Sequence, residues 1–398
     1  MNVSRHPIRR LLACAVMALA ASGCNAKSGP LDLLQPASTM EEYRAMSEQL
    51  FRIDQAAIEA EAKAAGLDKA PKPKKAKRFG FDARKATTDS EFIATAQGRQ
   101  VAENVLSFQT PSGGWSKRTD MGVPRQKGHQ FGVEKNYIPT FDNLATSTQF
   151  WVMVNACNSL KEARYCDSAA RALKYILIAQ YPNGGWPQTF PLRGKYHDYI
   201  TYNDTAITSL LTIVAAAANG DPRLEFIPGA LRALAQNSLQ RALNMVVATQ
   251  VKVNGEPTIW GAQHHVKSFE PTAARAFEPV ALATSESADL VLFLMTLEQP
   301  PEHVQHSIES ASAWFERHRI NGLKYRRDGS LPSLIPEENA DPLWARFYDI
   351  HSDRPIFGDR DGKVYFDVDK VSAERRQGYA WYTEQPHKVL KQYARWKQ

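Results

Sequence analysis

The chain has 398 residues, of which 43% are apolar and 23% are charged. This length allows one large domain with attachments or two ordinary domains, and the apolar content excludes a chain that is disordered throughout. The formal net charge of +7 favours an acidic partner, such as nucleic acid, anionic lipid or a polyanionic sugar.

The first 24 residues have the pattern of an export signal. Arg5, Arg9 and Arg10 precede a short apolar run from Leu11 to Ala21. This run is too short to cross a bilayer, which needs about 20 residues, so it indicates secretion rather than a membrane span. Small residues then lead into Cys24, as in a bacterial lipobox, which predicts a lipoprotein signal peptide with lipidation at Cys24.

The signal also sets expectations for location and partners. We expect an outer-membrane lipoprotein on the periplasmic or cell-surface face, held to the membrane by its N-terminal lipid only. Ordinary cleavage without lipidation, which would give a secreted protein, stays open, as does a buried N-terminal helix. Removal of the signal leaves a net charge of about +4, which argues against nucleic-acid binding.

Residues 25–90 have the composition of a tether. A helical pattern runs from Met40 to about Ala65, with apolar residues three and four positions apart. A lysine/proline run from Lys69 to Arg78 follows, which is typical of a solvated, extended linker. A patch that touches anionic lipid or substrate is the alternative interpretation of this run.

The main domain is predicted to cover residues 91–398 and to be all-α. Amphipathic helices are predicted in seven places, at 92–108, 143–160, 166–180, 203–219, 229–249, 281–298 and 302–318. Short strand-like pieces interrupt them, for example Val251-Lys252-Val253 before the Asn254-Gly255 turn. No alternation of strands and helices indicates a parallel sheet.

An internal repeat indicates how these helices are arranged. Gly113-Gly114-Trp115 recurs as Gly184-Gly185-Trp186, and Trp260 follows at a similar interval. An acidic or amide cluster precedes the next helix after each of the two glycine pairs. Two helices per repeat predict stacked hairpins that form an (α/α) toroid with short β-hairpin segments, in which equivalent loops share one face.

Those loops carry candidate metal ligands. Asp142-Asn143 and Asn203-Asp204 would meet at one site in such a toroid. Carboxylate and amide oxygens suit calcium far better than zinc. The alternative is that Asp142 and Asp204 simply cap helix N-termini, although a cap can also offer its second oxygen to a metal.

Arginines are concentrated downstream in segments without helical periodicity. They are Arg275, Arg346, Arg354, Arg360, Arg375 and Arg376. The planar guanidinium matches a carboxylate, so several arginines beside a calcium site suit a polymer with one carboxylate per sugar. Each arginine alone is more typical of a surface ion pair, and only their grouping favours such a partner.

Two cysteines remain in the predicted main domain. Cys157 and Cys166 lie nine residues apart across a predicted helix–helix turn. In an oxidising compartment they would form a disulfide, and two separately buried thiols are the alternative.

Eight segments in chain order resemble the family 10 polysaccharide lyases, which are pectate lyases. The segments are Gly113–Lys117, Thr140–Asn143, Gly184–Gln188, Ile200–Asp204, Ala274–Pro279, Trp344–Tyr348, Asp353–Phe357 and Glu374–Tyr379. Together they extend over nearly the whole main domain. The resemblance implies an (α/α) toroid, calcium and polygalacturonate.

The resemblance also implies a mechanism. Ca²⁺ held by Asp142 and Asp204, with Asn143 and Asn203 beside them, would bind the carboxylate of the cleaved sugar and acidify its C5 proton. Arg275 would be the base of an anti β-elimination that leaves an unsaturated sugar end. Such a base needs a site rich in positive charge, because an arginine pKa is ordinarily above about 12.

Other basic residues complete the implied site. Lys117, Arg346, Arg354 and Arg360 would bind substrate carboxylates and stabilise the developing charge. The chain departs from the family at His265, where an acid is common, and at Leu144, where glycine is common. Neither departure removes a predicted ligand or the base.

Two other functions stay open at this point. One is a non-catalytic surface lipoprotein that binds pectin on the same fold, for which the lipid anchor is an argument. The other is a toroidal glycoside hydrolase with Asp142 and Asp204 as its acid and base. We expect a monomer; the preferred methylation state of pectin and endo or exo action do not follow from the residues.

Overall fold

The structure is a computed structural model that describes residues 34–135 and 138–398. The predicted signal peptide and the lipidation site at Cys24 lie outside the described residues. Within them, no helix is both long enough and apolar enough to cross a membrane.

Helices dominate the described chain. They are α1 (Met40–Ala64), α2 (Ala83–Thr88), α3 (Ser90–Ala94), α4 (Ala96–Ser107), α5 (Ser147–Leu160), α6 (Ala163–Ile178), α7 (Ala206–Ala218), α8 (Gly229–Thr249), α9 (Thr284–Leu294), α10 (Glu302–Arg317), α11 (Ala373–Gly378) and α12 (Gln385–Trp396). All seven predicted helices of the main domain are present, with the first divided at Thr95 into α3 and α4. The helices predicted to begin at 143 and 203 begin later, at Ser147 and Ala206, because a separate 3₁₀ turn precedes each.

The strands are short and all pair antiparallel. They are β1 (Ile200–Thr201), β2 (Lys252–Val253), β3 (Glu256–Pro257), β4 (Gln263–His264), β5 (Leu282–Ala283), β6 (Leu323–Tyr325), β7 (Leu334–Pro336), β8 (Trp344–Ala345), β9 (Phe347–Tyr348), β10 (Pro355–Gly358), β11 (Val364–Tyr365) and β12 (Tyr382–Thr383). One four-stranded sheet has the order β11-β10-β9-β5, and β1-β4, β12-β8, β2-β3 and β6-β7 form two-stranded ribbons. The predicted hairpin at Asn254-Gly255 is β2-β3.

The helices form hairpins that stack side by side. The pairs α5/α6, α7/α8 and α9/α10 pack as antiparallel neighbours, and α4, α6, α8 and α10 contact one another in that order. The apolar faces of both helix layers bury one continuous core. This architecture confirms the predicted (α/α) toroid of helical hairpins with short β segments.

A buried tryptophan marks each repeat and ties its turn to the preceding helix. The indole N–H groups donate to main-chain carbonyls: Trp115 to Val105, Trp186 to Ile176, Trp260 to Val246 and Trp344 to Phe315. In three of the repeats a glutamine at the helix end donates to two carbonyls at matching positions; these are Gln109, Gln180 and Gln250. Over residues 34–135 and 138–398 the repeat therefore has four units, of which the sequence pattern shows three.

The described part of the predicted tether packs against the main domain. On α1, Tyr43 is fully buried and donates its hydroxyl to the carbonyl of Ala179 at 2.7 Å. Asp54, also on α1, accepts from the backbone N–H of Ser112 at 2.8 Å. An extended tether is therefore not what these residues form, because α1 has an apolar stripe that joins the core. The division of the chain at residue 90 stays a prediction.

Cys157 and Cys166 are joined by a disulfide. Cys157 lies in the last turn of α5, and Cys166 lies in the first turn of α6. The bond therefore closes the turn of this hairpin, and the alternative of two separate thiols is wrong.

Candidate active site

The predicted metal ligands lie in two 3₁₀ turns that pack against each other. One turn covers Asp142–Leu144 before α5, and the other covers Asn203–Thr205 before α7. The backbone N–H of Phe141 donates to the carbonyl of Gln188, which anchors the first turn to the second repeat. The N–H groups of Tyr202 and Asn203 both donate to the carbonyl of Ala262 at 3.0 Å, which anchors the second turn to the third repeat.

Both turns have unusual backbone conformations. Asn143 has φ 54° and Asp204 has φ 52°, in the left-handed region that asparagine and aspartate enter more readily than most residues. Thr146 and Thr205 also have positive φ, which is costly for a β-branched side chain. Residues in such conformations are concentrated at functional sites, where the surrounding structure holds them.

Neither aspartate is a helix cap. The residues at the N-cap positions of α5 and α7 are Thr146 and Thr205, and neither helix has a side-chain cap. The carboxyl of Asp142 instead accepts from Asn143 Nδ2 at 2.7 Å and forms a buried ion pair with Lys117. The carboxyl of Asp204 accepts from Asn203 Nδ2 at 3.0 Å. The capping interpretation is therefore wrong, and both carboxylates keep lone pairs for a further partner.

The two carboxylates are close enough to influence each other. Although part of Asp204 reaches solvent, the protein around its carboxyl and the negative charge of Asp142 raise its pKa from 3.8 to about 6. Arg346 and Arg275 act in the opposite direction and Glu286 acts in the same direction as Asp142. Asp142, Asp204, Arg275 and Arg346 therefore share one electrostatic environment, although they are spread over more than 200 residues of sequence.

Arg346 connects the second turn to α9. Its guanidinium donates to Asn203 Oδ1 at 3.2 Å and forms a buried ion pair with Glu286, in the first turn of α9. It also lies 4.8 Å from the ring centroid of Tyr379. Burial acts to lower the pKa of Arg346, but Glu286 and the neighbouring acids outweigh it and leave the pKa raised, so this arginine is a fixed cation.

Arg275 is held by Glu278. Its Nε donates to Glu278 Oε2 at 2.7 Å, and Nη2 forms a second bond to Oε1. Tyr379 Oη also donates to Glu278 Oε1, at 2.9 Å. Burial acts to lower the pKa of Arg275, but the ion pair outweighs it and leaves the pKa raised. The site around Arg275 thus differs from the one predicted for an arginine base, because an acid and not a cation is its nearest charge.

A cluster of arginines surrounds one aromatic ring beside Arg275. The guanidinium carbons of Arg275, Arg360 and Arg375 lie 4.7, 5.5 and 4.7 Å from the ring centroid of Phe277. Arg360 is largely exposed and pairs with Glu374 at 3.0 Å. Guanidinium groups on an aromatic face stay oriented and keep donors free for a second ligand.

Most of the predicted site residues are thus brought together. Lys117, Asp142, Asn143, Asn203, Asp204, Arg275, Arg346 and Arg360 form one connected region. Arg354 is not part of it by any contact of the described residues; its guanidinium lies 4.5 Å from the ring centroid of Phe366. His265 contacts Tyr199 and the loop of residues 267–270.

The site contains further residues to which no role was assigned from the sequence. Glu278 and Tyr379 belong to segments that carry the family resemblance, but an ion pair across three residues is not visible as a pattern. Glu286 lies at the start of α9, at a position equivalent to the acidic turns before α5 and α7. The internal repeat could therefore have indicated Glu286 as a site residue. His197 lies near Asp142; burial lowers its pKa, and its Nδ1 is 2.7 Å from Gln188 Oε1.

The chemistry of the donors fits a divalent cation. Burial and the negative charge of Asp142 raise the pKa of Asp204, and a cation between the two carboxylates would favour the ionised form of Asp204. All donors are oxygens, as calcium prefers. Among the described residues, no group of three or more histidine, cysteine, aspartate or glutamate side chains is arranged to hold a metal. Substrate, water or amide oxygens would therefore have to complete the coordination.

Comparison with known proteins identifies the family. A family model for pectic acid lyase matches residues 109–390. A solved structure of a family 10 polysaccharide lyase from Cellvibrio cellulosa is 28% identical, with a TM-score of 0.71. An aspartate-to-alanine mutant of a family 10 lyase from the same organism, in complex with trigalacturonic acid, is 29% identical, with a TM-score of 0.70.

Each of these two matches covers 79% of this chain and 95% of the solved chain. Among curated proteins, no match is found. The family model covers well over half of the chain, and the matched residues include every site residue predicted in the toroid. The chain therefore belongs to the pectic acid lyase family and is a polysaccharide lyase.

Proposed function

We propose that this enzyme is a calcium-dependent pectate lyase that cleaves polygalacturonate by anti β-elimination. The observation that carries the proposal is the meeting of Asp142 and Asp204 in one environment with Arg275 and Arg346. Two acids and several fixed cations suit a substrate that is itself an anion, because a metal between the acids and the arginines around them can bind the same carboxylate. The similar Cellvibrio lyase, solved in complex with trigalacturonic acid, supports an acidic sugar as substrate.

Asp142 and Asp204 would hold the cation, with the Oδ1 atoms of Asn143 and Asn203 as neighbouring donors. When bound, Ca²⁺ withdraws electron density from the substrate carboxylate and makes the C5 proton more acidic. Lys117 forms a buried ion pair with Asp142, which compensates the charge of this acid when no metal is bound. Arg346 fixes Asn203 by its hydrogen bond and offers positive charge to the developing enolate.

In this proposal Arg275 first releases its own proton to solvent and then removes the C5 proton. The electron pair left at C5 forms the C4=C5 double bond, the C4–O bond breaks, and the released sugar chain takes a proton from water on that oxygen. The guanidinium must first leave Glu278, because that ion pair holds the proton on Arg275. The half-exposed position of Arg275 allows such a movement. Arg360, on the same aromatic ring, would bind a neighbouring carboxylate, and Arg354 is proposed for a sugar farther along the chain.

The direct test is incubation of the purified protein with polygalacturonate and Ca²⁺ while ultraviolet absorbance from unsaturated ends is followed. We expect product with Ca²⁺, none after chelation, and none from Arg275→Ala. Polymer binding without any product, across pH and Ca²⁺ concentration, would instead favour a non-catalytic pectin-binding protein. Saturated products and indifference to chelators would favour a hydrolase.

We also propose export and lipidation at Cys24, which rest on the sequence pattern alone. Fractionation of cells that express the full chain tests this. The protein should be found in the membrane fraction, and Cys24→Ala should move it to the soluble periplasmic or extracellular fraction. An unchanged distribution would rule out the anchor.

A further inference from the structure

The lysine/proline segment Lys69–Arg78 is fixed to the domain. It contains six basic residues and no acidic one. The backbone N–H of Asp120 donates to the carbonyl of Lys74, the N–H of Ala76 donates to the carbonyl of Arg118, and Lys75 forms an antiparallel bridge with Thr119. These contacts fix the middle of the segment against Arg118–Asp120 through an isolated β-bridge, which is not expected of a solvated linker.

Both ends of the segment are anchored. Ala70 and Phe79 are buried, the N–H of Gln130 donates to the carbonyl of Pro71, and the N–H of Met121 donates to that of Phe79. Between these anchors the side chains of Lys72, Lys74, Lys75, Lys77 and Arg78 are exposed. The backbone of this segment is therefore ordered, although its basic side chains bury little surface.

The row is poor in local counter-charges. Lys74 lies 3.5 Å from Asp120, and the nearby Arg118 pairs with Glu134. Among the ion pairs of the described ranges, none includes Lys72, Lys75 or Lys77. Three ordered cations thus lack an acid within pairing distance, which leaves them available to an external anion.

The segment is directly connected to the candidate active site. The residues that it pairs with, Arg118–Asp120, directly follow Lys117, whose ammonium binds Asp142. Lys72, Lys75 and Lys77 are spread over six residues of this backbone, which span at most about 20 Å, so their charges lie at separate points along the segment and not at one point. A line of cations that begins beside the reacting site matches a linear polyanion better than it matches a small anion.

We propose that Lys72, Lys75 and Lys77 form an outlying binding surface for the acidic polysaccharide, beyond the sugars that lie at the catalytic residues. This inference rests on the proposed pectate lyase function for its choice of polymer. The row would raise the affinity for long chains by Coulomb attraction to several carboxylates at once, and it would not act on a substrate too short to reach it. An anionic membrane is the competing partner, and the direct backbone connection to Lys117 favours the polysaccharide.

The test uses the triple variant Lys72→Gln/Lys75→Gln/Lys77→Gln in the full chain. Its matched control is Lys388→Gln/Lys391→Gln/Lys397→Gln, three exposed lysines on α12 and directly after it. For the first variant we expect kcat/KM on polygalacturonate to fall about tenfold at low salt, with less than about a twofold change on a short oligogalacturonide. The control should change neither value, and the difference should shrink at high salt because exposed charges are screened.

Three outcomes would overturn the inference: equal loss on long and short substrates, the same loss in the control, or no loss. Binding to phosphatidylglycerol vesicles that depends on the three lysines, with polymer kinetics unchanged, would also overturn it and assign the row to a membrane. Failure of the lyase proposal is separable. If wild-type protein gives no unsaturated product, affinity electrophoresis in polygalacturonate still shows whether the three lysines bind the polymer.

Discussion

The guanidinium of Arg275 and the carboxylate of Glu278 form a two-point ion pair, and Tyr379 donates a third bond to the same carboxylate. Glu278 is almost fully buried, whereas Arg275 is about half exposed. The acid is therefore the fixed partner and the arginine the movable one. If Arg275 is the base, Glu278 controls when its proton can be lost.

Glu278→Gln should change the pH dependence of the reaction. Loss of the negative charge lowers the pKa of Arg275, so a smaller rise in pH is needed to deprotonate it. We expect the ascending limb of the kcat/KM profile to move by about one pH unit toward lower pH, as expected for loss of one close charge. A profile that keeps its shape while its height falls would mean that Arg275 acts only as a cation. Tyr379→Phe, which leaves the charge of Glu278 in place, is the matched control.

Asp204 should make calcium binding depend on pH. Because its pKa is raised to about 6, the group binds a proton, and loses metal affinity, as the pH falls through 6. Calorimetric titration with Ca²⁺ should therefore show weaker binding at pH 5 than at pH 8. Asp204→Asn should abolish the rise in melting temperature that Ca²⁺ gives. Equal Ca²⁺ affinity at both pH values would contradict the assignment of Asp204 as a ligand.

The same raised pKa affects stability without metal. The native state binds the proton of Asp204 more tightly than the unfolded chain does, so stability decreases as the pH rises from about 4 to 6. Since part of Asp204 is exposed, screening limits the effect to about 1 kcal/mol or less. Chemical denaturation in a chelator should show Asp204→Asn to be at least as stable as wild type at pH 8.

Arg346→Lys tests whether this position needs the planar guanidinium, which contacts both Asn203 and Glu286, or only a positive charge. Lysine keeps the positive charge beside Glu286 but cannot also donate to Asn203 in the same geometry. We expect kcat/KM to fall about 30-fold, as for loss of one oriented donor, while the melting temperature changes little. Arg346→Leu should in addition destabilise the fold by about 3 kcal/mol, because Glu286 becomes a buried unpaired charge. Full activity in Arg346→Lys would show that charge alone suffices.

Asp54 joins α1 to the first tryptophan turn and is predicted to respond to pH. Burial raises its pKa to about 7 despite the two bonds from Ser112. Asp54→Ala should cost about 1–3 kcal/mol near pH 4, because the N–H of Ser112 loses its acceptor, and less above pH 7, where ionisation of the buried carboxyl already destabilises the wild type. Asp54→Asn keeps the acceptor and removes the charge, so it should be more stable than wild type above pH 7 and equal to it near pH 4. Thermal unfolding of Asp54→Asn and wild type at both pH values checks the sign of this stability difference.

Cys157 and Cys166 should contribute to stability and not to catalysis. Replacement of both by alanine opens a short loop at the α5–α6 turn, and we expect a loss of about 2–3 kcal/mol from the free energy of unfolding. Activity at room temperature should be unchanged, because the turn lies at the end of α5 opposite the site. A selective loss of kcat would show that the hairpin transmits strain to the Asp142 turn.

Much of this fold follows from local patterns. Helix α8 (Gly229–Thr249) was predicted at its observed bounds from the recurrence of its apolar residues. The starts of α5 and α7 were predicted too early, because Asn143 and Asp204 look like helix N-termini and in fact adopt left-handed conformations. Such conformations depend on contacts with Gln188 and Ala262 in other repeats, which no local pattern contains.

The acids and amides of the site followed from the repeat, since the toroid places equivalent loops on one face. The partners of Arg275 and Arg346 did not, because Glu278 and Glu286 become partners only when side chains choose rotamers in the folded state. The docking of α1 was missed because the Lys/Pro run suggested a linker. The packing of α1 includes the hydrogen bond from Tyr43 to Ala179, a contact between residues more than 130 positions apart, which no local pattern predicts.

The packing of α1 against the toroid limits how far the enzyme could travel from an anchor. Leu34 contacts the core and lies ten residues after Cys24. Even a fully stretched chain of that length spans only about 35 Å. If Cys24 is lipidated as proposed, Leu34 would therefore stay within about 35 Å of the bilayer, and the polysaccharide would have to reach the membrane before the lyase could cut it.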